Sequence, residues 1–574
     1  MKKRFGFWMT VVLALCFACF VTCSNGTSGN PSEFTTAPVV TLTAGDGSLK
    51  VEWADSVPKA SSYDIYYIER STGSTKAVKG GKKLTNRSSG RTISGLTSGS
   101  TYSVVVTANK SGYTSIDSAI EQETLAGGLT LSNNRRSPKR GICYGNSNND
   151  PFRNHTQNMA ALAPGTSWMY TWGLTAPNDL ANPAVANNIV FIPMIFRGTW
   201  NQNELRNYLT AHPEVEYILT YNEPMFSDQA KMTPAEAGAA WPNVKSIAQE
   251  FNLKIVGPAL NYGSFYDDVG ILYQHTHTCD RPAQHGTPCS QPNSHHGPKC
   301  WFEEFLAQPN VNLSDMHAIA VHTYSGDPKA QKWNSVVMYS GYGLPLWLTE
   351  FCAWDDDWYT KNALHQEKFM SEFIIYLEQE PIIERYAWFM ANGGNGGLTS
   401  WPFFNLVNSS GLTSLGQIFV NMSTCDKSFW EPAGTTIKAA QFSANHLSEI
   451  VGAQDTWPSG FPGTGGSVHF RPTTDNDANA QVLDIYNFNG NRKWVEYQIN
   501  TPSTKTYTLT LRYQTVQPTS MSITIDSGSQ QTTSLDSSNW NTATVDLGNI
   551  AAGKHTIRLA VTGGDCALNW LKVE

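Results

Sequence analysis

Eight apolar stretches of strand length recur between residues 137 and 425, and segments with helical periodicity separate many of them. In order they are GICYG, TSWMYTWG, IVFIPMIF, YILTYNEP, KIVGPAL, AIAVHTY, LPLWLTEF and RYAWFMA. Strands of a parallel sheet are nearly continuous in apolar residues, because helices cover both faces of the sheet. Eight such units predict a (β/α)₈ barrel over residues 137–425.

The segments on either side of this region have a different pattern. Residues 37–126 contain short alternating stretches such as SLKVEWA, SYDIYYIE and TYSVVVTA, and residues 435–574 contain WVEYQIN, TYTLTLRY and HTIRLAV. Alternation with polar turns between the stretches is typical of antiparallel sheets. We therefore expect a multidomain protein in which two β-sandwich domains flank the barrel, since 574 residues are too many for one core.

Residues 1–23 have the features of an export signal. Basic residues at positions 2–4 precede an apolar run through Phe20, and Val21-Thr22-Cys23 leads into a polar tract. This end resembles a bacterial lipoprotein cleavage box, so Cys23 is a candidate lipid anchor, and plain secretion is the alternative. Either interpretation predicts an exported protein, as a cell-surface lipoprotein or in secreted form.

Composition narrows the choice of ligand. The net charge is −7, only 15% of the residues are charged, and the chain contains 18 Trp, 23 Tyr and 25 Phe. This balance argues against a nucleic-acid partner, and abundant aromatic side chains suit neutral, flat-faced ligands such as sugars. We expect a monomer with a polysaccharide substrate.

Two carboxylates stand at the carboxyl ends of predicted barrel strands, where such barrels carry their functional groups. The fourth strand ends on Asn222-Glu223-Pro224, and the seventh ends on Thr349-Glu350. Strands four and seven lie nearly opposite in a ring of eight, so the two glutamates should face each other. Paired carboxylates on one sugar are what glycoside hydrolysis requires. The alternative is that each glutamate is an ion-pair partner at a strand end.

The ordered motifs resemble glycoside hydrolase family 128, a family of β-1,3-glucanases. The matching pieces over residues 139–390 are KRGICYG, WMYTWG, FIPMIF, ILTYNEP, MTPAEAGAAWP, GPAL, VHTY, PLWLTEF and ERYAWF. The resemblance implies a retaining mechanism that needs no cofactor and no metal, with Glu223 as general acid/base and Glu350 as nucleophile. The chain departs from the family at Phe196-Arg197, where members commonly have Trp.

Further side chains are expected to bind the substrate. Asn222 would bind the sugar 2-hydroxyl, Tyr324 could donate to Glu350, and His322 lies at the same strand end as Tyr324. Candidate stacking platforms are Trp168, Trp172, Trp347, Trp354, Trp358 and Trp388. For each tryptophan, packing in the core is the alternative.

An insertion before the sixth strand is rich in metal-ligating residues. Residues 274–300 contain five His and three Cys. Such a segment could bind zinc, but an oxidising compartment favours a surface loop with a disulfide, for which Cys279–Cys289 is our candidate. Seven cysteines follow the export signal, so at least one is unpaired.

The flanking domains also resemble known families. Residues 37–126 are similar to a fibronectin type III domain, which we interpret as a spacer. The C-terminal domain resembles carbohydrate-binding module family 6 or a close relative, through RKWVEYQIN, YTLTLRY and LNWLKVE. That resemblance implies Asn569 as a sugar ligand, with Tyr486 and Trp540 as stacking partners.

Together these features predict an exported endo-β-1,3-glucanase that cleaves laminarin-like glucan. Two alternatives remain at this stage. A related hydrolase of another β-glucan or of mannan would keep both glutamates and change the subsites. A surface glycan-binding lipoprotein with an inactive barrel would need neither carboxylate.

Overall fold

A computed structural model gives the architecture of the chain. The structure describes residues 32–574 apart from 46–47, 70–73, 95, 98–99, 126–135, 147–151, 227, 262–297, 355–362, 394–401, 448–466, 492–493 and 529. The export signal and the 274–300 insertion, with its candidate disulfide Cys279–Cys289, therefore lie wholly or almost wholly outside the described residues.

The N-terminal part consists of two antiparallel sheets around one apolar core. The first contains β1 (Val39–Gly45), β2 (Ser48–Ala54) and β5 (Arg91–Ser94). The second contains β3 (Ser62–Glu69), β4 (Lys82–Leu84), β6 (Thr101–Asn109), β7 (Ile116–Asp117) and β8 (Glu121–Thr124). A short helix, α1 (Thr75–Lys79), follows β3. Alternate residues of both sheets, among them Trp53, Tyr63 and Val104, fill the core. The fibronectin type III resemblance stays a prediction.

The central part is built on a curled sheet of parallel strands. They are β9 (Arg140–Cys143), β10 (Trp168–Tyr170), β11 (Val190–Phe191), β12 (Met194–Ile195), β13 (Tyr217–Asn222), β14 (Lys254–Asn261), β15 (Ala318–Thr323), β16 (Leu346–Phe351) and β17 (Ile383–Trp388). Their order in the sheet is β11-β10-β9-β17-β16-β15-β14-β13-β12. Only Ile192 and Pro193 separate β11 from β12, and Pro193 has no N–H to donate to a ladder. Both edges of the sheet therefore lie on one short stretch of chain.

Helices occupy the connections between successive strands. They are α2 (His155–Leu162), α3 (Asn178–Ala186), α4 (Gln202–Ala211), α5 (Pro234–Phe251), α6 (Pro298–Leu306), α7 (Pro328–Lys332), α8 (Ala363–Gln379) and α9 (Ser414–Asn421), the last following β17 and the short β18 (Val407–Asn408) and β19 (Gly411–Leu412). Helix α5 begins at a capping box, in which Thr233 and Glu236 satisfy each other's backbone N–H groups. Strand–helix alternation is thus as predicted, and the parallel direction brings all strand carboxyl ends to one edge.

The C-terminal part is rich in antiparallel strands. They are β20 (Glu431–Pro432), β21 (Thr436–Lys438), β22 (Ala444–Asn445), β23 (His469–Pro472), β24 (Leu483–Asn489), β25 (Trp494–Thr501), β26 (Lys505–Ile525), β27 (Gln530–Leu535), β28 (Asn541–Ile550) and β29 (Gly553–Val573). Strand β23 packs on α8, where the Phe470 N–H donates to Ser371 Oγ at 3.0 Å. The same contact includes His469 Nε2, which is 2.7 Å from Glu372 Oε1. The apolar cores of the central and C-terminal parts are continuous.

Two further features concern the cysteines and the helices. Four cysteines whose side chains the structure describes, Cys143, Cys352, Cys425 and Cys566, are buried free thiols. Among the described helices, none combines the length and the apolar character needed to cross a bilayer.

Candidate active site

Glu223 stands directly after the buried strand β13. The Asn222 N–H donates to Phe196 O at 2.9 Å, and the Glu223 N–H donates to Ala259 O at 3.1 Å, so neighbouring strands hold both residues. Tyr221 and Glu223 both have φ of +44°, and Trp172 at the end of β10 has φ of +59°. Non-glycine residues in this left-handed region are uncommon, and they gather at functional sites because the surrounding structure must hold them there.

Glu350 lies near the end of β16 and accepts hydrogen bonds on both carboxylate oxygens. Its Oε1 accepts from the Tyr170 hydroxyl at 2.9 Å and from Trp172 Nε1 at 2.7 Å. Its Oε2 accepts from the hydroxyl of Tyr324, as the sequence suggested. Three donors around one carboxylate favour its ionised form.

Glu223 is held differently, through one oxygen. Its Oε1 accepts from Asn261 Nδ2 at 2.8 Å and lies 2.6 Å from His322 Nδ1. The same nitrogen of His322 is 3.5 Å from Glu350 Oε2. One carboxylate oxygen of Glu223, one of Glu350 and a ring nitrogen of His322 all lie within 4.8 Å of one another. The predicted meeting of the two glutamates at one edge of the sheet is what the structure shows.

The site is nearly closed to solvent, and this shapes its electrostatics. Glu223 is 7% exposed, Glu350 3% and His322 0%. Burial raises the pKa of Glu350 above its ordinary value and the Glu223 carboxylate adds to this, whereas His322 and the donors Tyr324 and Trp172 oppose it. Burial lowers the pKa of His322, but the carboxylates of Glu350 and Glu223 outweigh it, so the net pKa is raised.

The same three side chains have the composition of a small metal site, as two carboxylates and one imidazole. Protein donors, however, already occupy one oxygen of Glu223, through Asn261, and both oxygens of Glu350, through Tyr170, Trp172 and Tyr324. These contacts suit anions that are held by hydrogen bonds, which is the arrangement a carboxylate-based reaction uses.

Two other predicted residues border the carboxylates. Asn222 Nδ2 donates to Gln229 Oε1 at 3.2 Å, and its buried Oδ1 has no partner among the described residues. Trp354 is half-buried and packs against Tyr324 and Phe389, with ring centroids 6.1 and 5.7 Å away. Trp172, predicted as a stacking platform, also borders the site, and its indole Nε1 donates to Glu350. Trp358 lies outside the described residues.

Three tryptophans that the sequence suggested as sugar platforms are fully buried, so these predictions are wrong. Trp168 and Trp347 lie near the amino ends of their strands, where Trp168 Nε1 donates to Lys139 O and Trp347 Nε1 to Glu384 Oε2. Trp388 ends its strand, but its ring packs on Phe369 of helix α8. Whether such a tryptophan is buried depends on its position along the strand and on the face of the sheet that its side chain takes. An apolar run in the sequence shows neither.

Two residues of the site had not been singled out in the sequence. Tyr170 is fully buried and donates to Glu350, and Asn261 donates to Glu223. Tyr170 lies two residues before Trp172 in WMYTWG, so the period of a strand could have placed both on one face. Asn261 ends an apolar strand in GPALN, the same signal that drew attention to Glu223.

In the C-terminal part the three predicted sugar ligands have different surroundings. Asn569 is fully buried; its Nδ2 donates to Thr473, Asp484 and two backbone oxygens, and its Oδ1 accepts from the Gln481 N–H. The prediction that Asn569 binds sugar is therefore wrong, because its side chain is used in hydrogen bonds to the 473–484 segment. Tyr486 packs against His469, which contacts Glu372 of helix α8. Trp540 is half-buried, and its Nε1 donates to Thr474 Oγ1 at 3.1 Å.

Comparison with known proteins agrees with this geometry. Residues 141–419 match the family described as glycosyl hydrolase catalytic core. Residues 464–573 match carbohydrate binding module family 35, which corrects the expected family 6.

Individual relatives were also found. The chain is similar to endo-β-1,3-glucanases of family 128 (subgroup II) from Pseudomonas viridiflava (28% identity, 50% of this chain and 98% of that chain, TM-score 0.39) and Sorangium cellulosum (26%, 49% and 97%, TM-score 0.38). It is 30% identical over 131 residues to Alkali-sensitive linkage protein 1 of Schizosaccharomyces pombe, covering 21% of this chain and 22% of that protein. The chain thus spans about a fifth of that curated relative's length. On the catalytic-core match, residues 141–419 form a glycoside hydrolase domain.

Proposed function

We propose that the protein is a retaining endo-β-1,3-glucanase in which Glu350 is the nucleophile and Glu223 the general acid/base. The observation that carries the proposal is the approach of the two carboxylates, which bring one oxygen each to within 4.8 Å of each other. Retaining glycosidases have carboxyl groups about 5–5.5 Å apart, whereas inverting enzymes need about 6.5–9.5 Å to admit a water molecule.

The hydrogen bonds distinguish the two roles. Glu350 accepts from Tyr170, Trp172 and Tyr324, and these hydrogen bonds favour the anion needed to attack the anomeric carbon, against the burial that raises the pKa of Glu350. Glu223 is held only through Oε1, and its Oε2 has no partner among the residues that the structure describes. That free oxygen can deliver a proton to the glycosidic oxygen.

The reaction then has two steps. Glu350 Oε attacks the anomeric carbon as the bond to the leaving sugar breaks, and Glu223 gives its proton to the departing oxygen. In the second step Glu223 takes a proton from water, and the hydroxide oxygen displaces Glu350 from the sugar. Asn222, whose Oδ1 is buried and unpaired among the described residues, would accept from the sugar 2-hydroxyl.

The choice of β-1,3-glucan rests on the ordered motifs that resemble family 128. We also propose that residues 137–425 form a closed (β/α)₈ barrel, that residues 37–126 are a fibronectin type III-like spacer, and that residues 435–574 form a β-sandwich. In this proposal the exported monomer, anchored through Cys23 or secreted, keeps the barrel near its substrate by binding glucan through the C-terminal module.

Alanine variants of both glutamates test the assignment. Glu350→Ala and Glu223→Ala should each abolish laminarin cleavage without loss of thermal stability, and Glu250→Ala, an exposed carboxylate on α5, is the matched control. With 2,4-dinitrophenyl β-laminaribioside, which needs no acid, Glu223→Ala should still form the glycosyl-enzyme and azide should release it as the β-azide. An initial α-anomer product from the unchanged enzyme would refute retention. Near-normal laminarin turnover by either variant would refute its assigned role.

Substrate choice needs a separate measurement. A digestion panel of β-1,3-, β-1,4- and mixed-linkage glucans and mannan should give oligosaccharides from laminarin first. Release only from another polysaccharide would keep the two-glutamate mechanism and refute the β-1,3 specificity.

A further inference from the structure

Asn261 occupies a position from which it can control the general acid. It is the last residue of β14 and the register partner of His322 on β15. From these adjacent strands, Asn261 Nδ2 and His322 Nδ1 approach the same oxygen of Glu223, at 2.8 and 2.6 Å.

The orientation of the Asn261 amide is fixed by its surroundings. With the amide turned over, Oδ1 would lie 2.8 Å from Glu223 Oε1, and two acceptors would face each other. The Oδ1 atom is instead buried on the other side, with no partner among the described residues. Asn261 is therefore a donor to Glu223.

His322 alone would hold Glu223 less firmly. Its Nδ1 lies between the carboxylates, 2.6 Å from Glu223 and 3.5 Å from Glu350 Oε2. A donor that is shared between two carboxylates, as His322 is, permits Glu223 to turn. Asn261, a second donor from the neighbouring strand, fixes Oε1 of Glu223 and so directs Oε2 away from both donors. Catalytic groups must be held within about 0.5 Å of the productive geometry to act efficiently.

We infer that Asn261 is a positioning residue that aims the free oxygen of Glu223 at the glycosidic oxygen of the leaving sugar. This inference rests on the proposed function, because it concerns the step in which Glu223 gives up its proton. Asn261 does not react, so its removal should harm only reactions that require this proton.

Leaving-group dependence separates this role from a merely structural one. We would measure kcat/KM, which reports the steps up to the first bond cleavage, for laminarin oligosaccharides and for 2,4-dinitrophenyl β-laminaribioside. Asn261→Ala should lower kcat/KM on the oligosaccharides about 10- to 100-fold, the range expected for one hydrogen bond to a charged group. On the dinitrophenyl substrate the loss should be less than about threefold.

Two companion variants keep the test decisive. Asn261→Asp preserves the shape and replaces the donor by an acceptor, so it should show the same split even where Asn261→Ala folds poorly. Lys254→Ala, at the other end of the same strand, should leave both rates unchanged. Thermal unfolding measures the stability of each variant.

The outcomes distinguish this inference from the function on which it rests. Equal losses on both substrates, or no loss on either, would refute the role of Asn261. If Glu223→Ala itself shows no dependence on the leaving group, the proposed acid is wrong and the inference falls with it. If the loss of activity depends on the leaving group in Glu223→Ala but not in the Asn261 variants, the role of Asn261 is refuted and the role of Glu223 as general acid stands.

Discussion

Tyr324→Phe should move the acidic limb of the pH–activity profile to higher pH. The tyrosine hydroxyl donates to Glu350 Oε2, and phenylalanine keeps the ring that packs against Trp354 and Phe389. The nucleophile must be ionised, so activity is lost as pH falls through the pKa of Glu350. Burial already raises that pKa, and Tyr324 is one of the groups that oppose the increase.

The size of the effect follows from the bond that is removed. A hydrogen bond to a charged group contributes about 1.5–3 kcal/mol, and a pKa change of one corresponds to about 1.36 kcal/mol. Loss of the donor stabilises the protonated form of Glu350 relative to the ionised form. The acidic limb should therefore rise by about one to two pH units.

The assay is kcat/KM for laminarin oligosaccharides across the pH range, since this ratio reports groups of the free enzyme. Tyr376→Phe is the matched control, because that hydroxyl bonds Glu380 at the end of helix α8, away from the site. An acidic limb that stays in place in Tyr324→Phe would refute the reasoning, as would an equal shift in Tyr376→Phe.

Three further predictions concern packing and the C-terminal module. His469→Ala should lower the free energy of unfolding by about 1–3 kcal/mol in a urea titration, because it removes the buried contact with Glu372; an unchanged midpoint would contradict this. Asn569→Ala should lower the thermal midpoint, because it removes buried hydrogen bonds. Trp540→Ala should weaken binding to insoluble glucan in a pull-down assay and leave the midpoint unchanged. Weaker binding by Asn569→Ala at an unchanged midpoint would instead support Asn569 as a sugar ligand. Trp347→Phe should destabilise the central part by about 1–2 kcal/mol and leave KM for laminarin unchanged; a large rise in KM would contradict the burial of Trp347.

The comparison of sequence and structure is clearest at the strand ends. Glu223 and Glu350 follow apolar runs that end on polar residues, and parallel strands must bring such ends to one edge. The order of the motifs is sufficient for this, and it places both carboxylates correctly. Tyr324 and His322 are found in the same way, because they end the sixth run.

The environment of the tryptophans could not be predicted in this way. Trp172 and Trp388 lie at or just after the ends of apolar runs, yet one donates to Glu350 and the other packs on a covering helix. An apolar run has no alternation to show which face each residue takes. The prediction for Asn569 is wrong for a related reason. A short motif does not reveal whether neighbouring loops already form hydrogen bonds with its side-chain amide.

The sequence by itself determined the order of strands and helices in the central part, and which carboxylates end the strands, because hydrophobic periodicity and proline positions are local properties. It did not determine their number, since the run IVFIPMIF, predicted as one strand, forms both β11 and β12. Only the tertiary structure decided which donors surround each carboxylate, since Tyr170, Asn261 and His322 reach the glutamates from strands distant in the chain. Hydrogen bonds between strands depend on the curvature and register of the whole sheet, and no single stretch of sequence contains that information.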